Sequence, residues 1–323
     1  MLSTMARPRK DEAELALLAA ELQAQREQDE QDLGYLGRLF TQFSLPYKDP
    51  GMDRKVWGRE TPFLRVSVQP GMYVQDGVEK SWGFPFGGIP RVNLAIFSRL
   101  AFQQQSRVIE FWLSQSEFMK QIGLGRGTGG KTGSIQRFQE QTERLLRCQI
   151  TVEYKGEAAN HSVARKLSIA DSWDLWWTNV PGGTRRPKDK QPSLIPSKIE
   201  LSEKFYLEVM KYPVPVDMGV LNALQSSPMA MDIYIFTTYT CFKLTKPLSF
   251  SYPRLMLQFG TSLADTRQGR SQFRRDFKKR VELVKAFHPQ LRFEEDESEK
   301  GFVLYPSETH VLRKPARRQQ VLE

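Results

Sequence analysis

Two stretches of this sequence hold residue types at spacings that could do chemistry. GRGTGGKT (Gly125 to Thr132) satisfies the phosphate-loop pattern G-x-x-x-x-G-K-[ST], with Lys131 placed for phosphates and Thr132 for magnesium. RQGRSQFRRDFKKRVELVK (Arg267 to Lys285) offers instead a row of cations for the phosphates and base edges of DNA. Context separates the two chemistries. A phosphate loop follows a buried strand that aims its amides, whereas EFMKQIGL (Glu117 to Leu124) reads as an amphipathic helix. No hydrophobic strand ends in a convincing acidic partner for magnesium; LSIAD (Leu167 to Asp171) suits the outer strand of a hairpin better. The glycines then read as a turn between two helices, where Arg126 and Lys131 could touch backbone phosphates.

The basic stretch reads as one helix with two faces. Phe273, Phe277, Val281 and Val284 recur at helical spacing and form a single core-facing stripe. Arg267, Arg274, Lys278 and Lys285 fall on the opposite side, flanked by Arg270, Arg275 and Lys279, with Ser271 a small hydrogen-bonding residue among them. Arg280 projects near the apolar stripe. Upstream, Ser251 is placed as an N-cap, Pro253 lies in a first turn, and Gly260 ends a short helix. A short helix, a turn at Thr261 to Thr266 and a longer basic helix make a helix-turn-helix. LRFEE (Leu291 to Glu295) and GFVLY (Gly301 to Tyr305) add a hairpin, the wing of a winged helix, with the acidic run EEDESE (Glu294 to Glu299) as its turn.

The same order of elements occurs earlier in the chain. Pro90 to Gln104 reads as a helix, Val108 to Trp112 as a strand, Ser114 to Ile122 as a short helix with a capping box, and Ser134 to Arg147 as a long helix. Strand-like runs at Cys148 to Tyr154 and Val163 to Ala170 follow. The second half repeats the order with a helix at Met229 to Lys243, a strand at Leu248 to Ser251, a short helix at Tyr252 to Phe259, the basic helix and the hairpin. The expected fold class is therefore α+β, two tandem winged-helix domains with an N-terminal helical extension. The expected divisions are residues 1–60 for the extension, 61–180 for the first domain, 181–200 for a linker rich in Pro, Gly and charge, 201–312 for the second domain and 313–323 for a basic tail. In the extension, Leu15, Leu18 and Leu22 predict a helix that docks on its own chain rather than a zipper. FLRVSVQ (Phe63 to Gln69) and MYVQ (Met72 to Gln75) predict a hairpin about Pro70 and Gly71.

Composition agrees with a polyanionic partner. The 323 residues carry a net charge of +10, and the pI is near 9.5. Cys148 and Cys241 lack metal-type spacing, and His161, His288 and His310 are scattered and read as surface or loop residues. No apolar run is long enough to cross a membrane, and the start lacks a signal peptide, so the expectation is a cytoplasmic, non-enzymatic protein with no cofactor and no metal. Trp173, Trp176 and Trp177 could stack on bases, but a strand closing the first core is the plainer reading.

Five blocks carry a family resemblance: GGIPRVNLAIFSRLA (Gly87 to Ala101), GKTGSIQRFQEQTERL (Gly130 to Leu145), LSEKFYLEVMKYPVPVD (Leu201 to Asp217), LQSSPMAMDIYIFTTY (Leu224 to Tyr239) and FRRDFKKRVELVKAFHP (Phe273 to Pro289). In them the chain, from Phe84 to Val311, resembles the plasmid-encoded RepA-type replication initiators, most closely those of IncW-type broad-host-range plasmids. The resemblance implies binding to directly repeated origin sites (iterons) in double-stranded DNA, opening of adjacent DNA, recruitment of the host initiator and helicase, a part in copy control, and a possible homodimer through the first domain. It implies that the helix from Arg267 is the principal reader and the helix from Ser134, with Arg137 and Arg144 exposed, the secondary one. The basic tail at Arg313 to Arg318 would act as a phosphate-binding arm. The rival readings are a winged-helix transcriptional regulator and a P-loop nucleotide hydrolase.

Overall fold

Side-chain spacing sets the order of elements, which a computed structural model describes for residues 12–28, 30–61, 64–111, 115–124, 133–155, 162–175, 197–260, 263–298 and 300–311. Good helix formers open the chain as α1 (Glu12–Glu27). β1 (Leu33–Gly37), a 3-10 turn (Arg38–Thr41), β2 (Trp57–Glu60), β3 (Leu64–Gln69), β4 (Met72–Gln75) and β5 (Val78–Ser81) follow. Next come α2 (Gly88–Gln104), β6 (Val108–Phe111), α3 (Gln115–Gln121), α4 (Ser134–Arg147), β7 (Gln149–Lys155), β8 (Ser162–Ser168) and β9 (Ala170–Asp174). The second half runs β10 (Ser197–Leu201), α5 (Glu203–Lys211), β11 (Pro213–Asp217), α6 (Met218–Ala223), α7 (Pro228–Cys241), β12 (Leu248–Ser251), α8 (Tyr252–Phe259), α9 (Arg267–Phe287), β13 (Phe293–Asp296) and β14 (Gly301–Leu304). Helices and antiparallel sheets mix in an α+β arrangement, as the sequence predicts.

Sheet pairing separates the two halves although their element order matches. In the second half the strand before the short helix joins the hairpin, in the order β12-β14-β13. In the first half β6 and β9 take β10, the strand that opens the second half, between them, while β7 and β8 extend β2 and β3 into a four-stranded sheet. Ser197–Leu201 is therefore a central strand rather than the end of a linker. Its alternating burial explains the insertion: Ser197, Ile199 and Leu201 are buried and Lys198 is exposed, so one face fills the core. The rest of the expected linker, from 181 to 196, lies outside the described residues, as do Trp176, Trp177 and the basic tail.

The hairpin expected about Pro70 and Gly71 does not form. β3 pairs with β2 and β7, and β4 pairs with β5 across Asp76 and Gly77. Both turn residues have positive φ, 54° and 75°, which is the two-residue turn that matches strand twist. Gly71 instead lies against Arg147, where a β-carbon would strike both side chain and carbonyl. Trp173 belongs to β9, with the Arg147 guanidinium 5.0 Å from its ring centroid, consistent with a strand closing the first core.

Residues 1–60 are more than a helical extension, because β1 pairs in register with β11 and β2 joins the four-stranded sheet. α1 docks on α9 and α6, burying Ala19 and Leu22. Arg26 of α1 is buried, and its guanidinium donates to the His310 carbonyl at 2.9 Å and to Glu308 at 2.8 Å.

That clasp overturns the surface reading of two histidines. His288 and His310 are buried, with ring centroids 5.1 Å apart. The Tyr234 hydroxyl accepts from the Asp217 N–H, which leaves its own proton for His310 Nδ1 at 3.0 Å. His288 Nε2 donates to the Glu308 carbonyl at 2.9 Å. Burial pushes the His288 imidazole down to about 4 and that of His310 down to about 3. Unfolded, both take up a proton near 6.5, so between that pH and about 4 the unfolded chain binds more protons than the folded one. Stability is then complete above the window and falls as pH drops through it, by about 2 kcal/mol per histidine at pH 5. Urea midpoints measured at pH 7.5 and pH 5 should fall accordingly, and less in His288→Gln; equal midpoints for the wild-type protein would contradict the buried neutral pair. His161 lies outside the described residues.

Candidate nucleic-acid interface

The basic helix is built as its spacing predicts. Phe273, Phe277, Val281 and Val284 are buried, and Phe287 extends the stripe by one turn. Thr266 caps the helix by accepting from the Gly269 N–H at 3.1 Å, and Gly269 is required because a β-carbon there would strike the Ala264 carbonyl. Ser251 occupies the N-cap position of α8 without a side-chain cap bond, and Pro253 sits in the first turn. Beneath α9 lies an aromatic floor, with the Phe277 ring centroid 5.6 Å from Phe259, 5.4 Å from Phe273 and 5.2 Å from Phe302. The floor fixes which side of the helix faces solvent.

Arg267, Arg270, Ser271, Arg274, Arg275, Lys278 and Lys279 are all exposed on α9. Arg270 pairs with Asp265 at 2.5 Å. Arg275 donates to Ser271 Oγ at 3.0 Å and to Gln272 Oε1 at 2.7 Å, so the Ser271 hydroxyl already holds a neighbour within the same face. Arg274 lies over the Tyr252 ring, 4.8 Å from its centroid. Lys278 pairs with Glu295 of β13 at 2.6 Å, and the Tyr252 hydroxyl donates to the same carboxylate at 2.5 Å. Partial burial pushes the Glu295 carboxyl up, but Lys278 and the Tyr252 hydroxyl outweigh it and hold the group below the usual carboxylate range. Burial and the hydrogen bond to Glu295 together push the Tyr252 phenol well above its ordinary value.

Other predicted residues fall elsewhere. Arg137 is exposed on α4 in the first half. Arg144 is not exposed as expected: its side chain is 13% accessible, paired with Asp49 at 3.2 Å, and its guanidinium lies 5.4 Å from the Phe86 ring centroid. It anchors the loop before α2 and is spent on structure. Arg126 and Lys131 lie outside the described residues. The element before their loop is helix α3, which lacks the strand geometry of a phosphate loop.

Tyr252 and Glu295 belong to the site and carry no signal in the sequence, since both act through residues distant in the chain. A third such contact comes from Arg59 of β2, which donates to the carbonyls of Met256 and Leu257 at 2.7 and 2.6 Å, joining the first half to the end of α8. Burial pulls the Arg59 guanidinium below its ordinary value, countered in part by Tyr47 and Asp232. No helix among the described residues is long and apolar enough to cross a membrane.

Comparison with known proteins adds a family. No curated protein matches the chain. A selenomethionine crystal structure of domains 2 and 3 of RctB is similar at 9% identity, with a TM-score of 0.49 over 83% of this chain and 94% of that one. A second structure of RctB domains 2 and 3 gives 9% identity and a TM-score of 0.44 over 83% and 87%. The family model described as plasmid-encoded RepA protein matches residues 84–250, just over half of the sequence, from the approach to α2 through β12. The chain belongs to the plasmid-encoded RepA family of replication initiators.

Proposed function

We propose that the protein initiates plasmid replication by binding directly repeated sites in a plasmid origin, with α9 as the helix that enters the major groove. The observation that carries this reading is the division of α9 itself: one stripe of apolar side chains is buried while Arg267, Arg270, Arg274, Arg275, Lys278 and Lys279 stand in solvent on a rigid aromatic floor. The family match ends before α8, so the role of α9 rests on its own geometry. In this reading α8, α9 and the β13–β14 hairpin form a winged helix, and α3, α4 and the β7–β8 hairpin form a second one. Arg137 would add a phosphate contact from the first unit. The first unit would also support a homodimer, and the protein would act in the cytoplasm with the host initiator and helicase to open the origin, without nucleotide hydrolysis.

Footprinting of the purified chain on DNA flanking its own gene, with and without ATP, tests the reading. A ladder of protected direct repeats, unaffected by ATP, is expected. Diffuse, strongly salt-sensitive coverage would reduce α9 to a generic phosphate binder. Within the helix, Arg274→Ala should cost about 1–3 kcal/mol on the cognate site and less on random duplex, as for a bidentate contact to guanine. Lys279→Ala should weaken all sequences alike and lower the salt slope by about one. Equal losses from both substitutions on both DNAs would remove sequence reading from α9.

A further inference from the structure

Phosphate-gripping hairpins are expected to be basic, and the hairpin beside α9 is acidic. Glu294, Glu295, Asp296 and Glu297 crowd into β13 and its turn. Much of that charge has a partner: Glu294 lies 3.6 Å from Arg292, the residue before β13, Asp296 accepts from Ser298, and Glu295 points at α9. The Glu295 carboxylate spends one oxygen on Lys278 and the other on the Tyr252 hydroxyl. The Tyr252 ring is itself buried, edge-on to Phe302 with centroids 6.0 Å apart, and carries the Arg274 guanidinium over its face. One carboxylate therefore holds two of the cations that face the groove, Lys278 directly and Arg274 through the tyrosine.

We infer that Glu295 is a positioning and specificity-determining residue of the DNA-reading face, orienting Arg274 and Lys278 toward base edges while restraining Lys278 from gripping phosphate. This rests on the DNA-binding reading of α9. An ammonium has three donors; with one given to Glu295, two remain for the O6 and N7 acceptors of guanine. A phosphate offered to Lys278 meets the Glu295 charge as well, so the attraction that any DNA sequence would feel is reduced at this position. Arg274, stacked on a tethered ring, presents its fork with fewer rotamers to lose on binding than an unsupported arginine. The acidic hairpin thus trades nonspecific affinity for discrimination.

Glu295→Gln, Tyr252→Phe and Arg274→Ala in the full chain test this, with affinities measured across a salt series for a duplex carrying the footprinted repeat and for a random duplex of equal length. Glu295→Gln should bind random duplex roughly three- to tenfold more tightly at low salt, with a slope steeper by about one. Its cognate-to-random ratio should fall about tenfold, roughly one lost discriminating contact. Tyr252→Phe keeps the stacked ring but frees one of the two carboxylate oxygens, leaving Glu295 tethered only through Lys278, so its ratio should fall in the same direction, and it carries the test should Glu295→Gln not fold. An unchanged slope and ratio in both variants, alongside a cognate loss in Arg274→Ala, overturns the inference while leaving α9 as the reader. Arg274→Ala and Glu295→Gln both indistinguishable from wild type on both duplexes would remove the DNA-binding reading and this inference with it.

Discussion

Replacing Asp232 with alanine should destabilise the protein by about 3–5 kcal/mol, read from the denaturant midpoint. Arg91 of α2 is 3% exposed, and its Nε and Nη2 donate to the two oxygens of Asp232 on α7 at 2.6 and 2.8 Å. Two more donors are committed, Nη1 to the Gly87 carbonyl at 2.6 Å and Nη2 also to the Leu45 carbonyl at 2.8 Å. A guanidinium cannot shed its proton inside a protein, so removing the carboxylate leaves a full charge buried beside carbonyls that neutralise only part of it. Installing Met at 91 together with Leu at 232 should lose far less than the single change, because an apolar pair of similar volume has no charge to desolvate. A single Asp232→Ala variant within about 1 kcal/mol of wild type would show that water reaches Arg91 and that the pair is not the buried latch it resembles.

The position of that latch gives it a functional consequence. α2 belongs to the first half and α7 to the second, and α7 lies directly under α9. Phe236 of α7 meets Phe250 and Phe259 edge-on, with centroids 5.5 and 5.6 Å away, so α7 is part of the floor that orients the basic helix. Loosening α7 should therefore lower cognate DNA affinity as well as stability, through residues that never approach DNA.

Local pattern made α9 legible in the sequence. Aromatic and β-branched residues at three- and four-residue spacing can bury only one face, and Arg267, Arg270, Arg274, Arg275, Lys278 and Lys279 off that face are exposed. The β13–β14 hairpin was legible for the same reason, since both strands and their turn are contiguous. What the sequence hid was pairing at long range. β10 follows a proline- and charge-rich stretch and looks like its tail, yet it is claimed by β6 and β9, strands that precede that stretch. Asp76-Gly77 is a strong turn signal that competes with Pro70-Gly71 nearby; Gly71 is small because Arg147 crowds it, not because it turns the chain.

Charge and titration were the least legible features. Arg144 falls on the polar side of α4 by helical spacing, and Asp49 and Phe86, far away in the chain, take it out of solvent. His288 and His310 look solitary in sequence because their partners, Tyr234, Arg26 and a backbone carbonyl, are brought to them by three different segments. The same holds for Glu295, whose partners on α8 and α9 come from other segments of the chain. Periodicity reports which face is buried; it does not report what a charge on the other face touches.

Phe277→Ala should cost about 3–5 kcal/mol of stability and lower cognate DNA binding in the fraction that remains folded. Phe277 is fully buried and touches the rings of Phe259, Phe273 and Phe302, with Phe293 edge-on and its centroid 6.0 Å away, so α8, α9 and both strands of the hairpin meet at this one side chain. Truncation removes the aromatic contacts and opens a cavity among large rings, which cannot close without moving the helix. Moving the helix shifts Arg274 and Lys278, which are one turn apart and flank Phe277 on the helix surface, away from Tyr252 and Glu295. The binding loss should therefore exceed that of Lys279→Ala on cognate DNA, although Phe277 faces away from solvent. Phe277→Leu should recover most of both quantities, because it refills the site with apolar volume. Wild-type melting in Phe277→Ala would mean that α9 does not rest on this floor, and the orientation of its basic face would lose its physical basis.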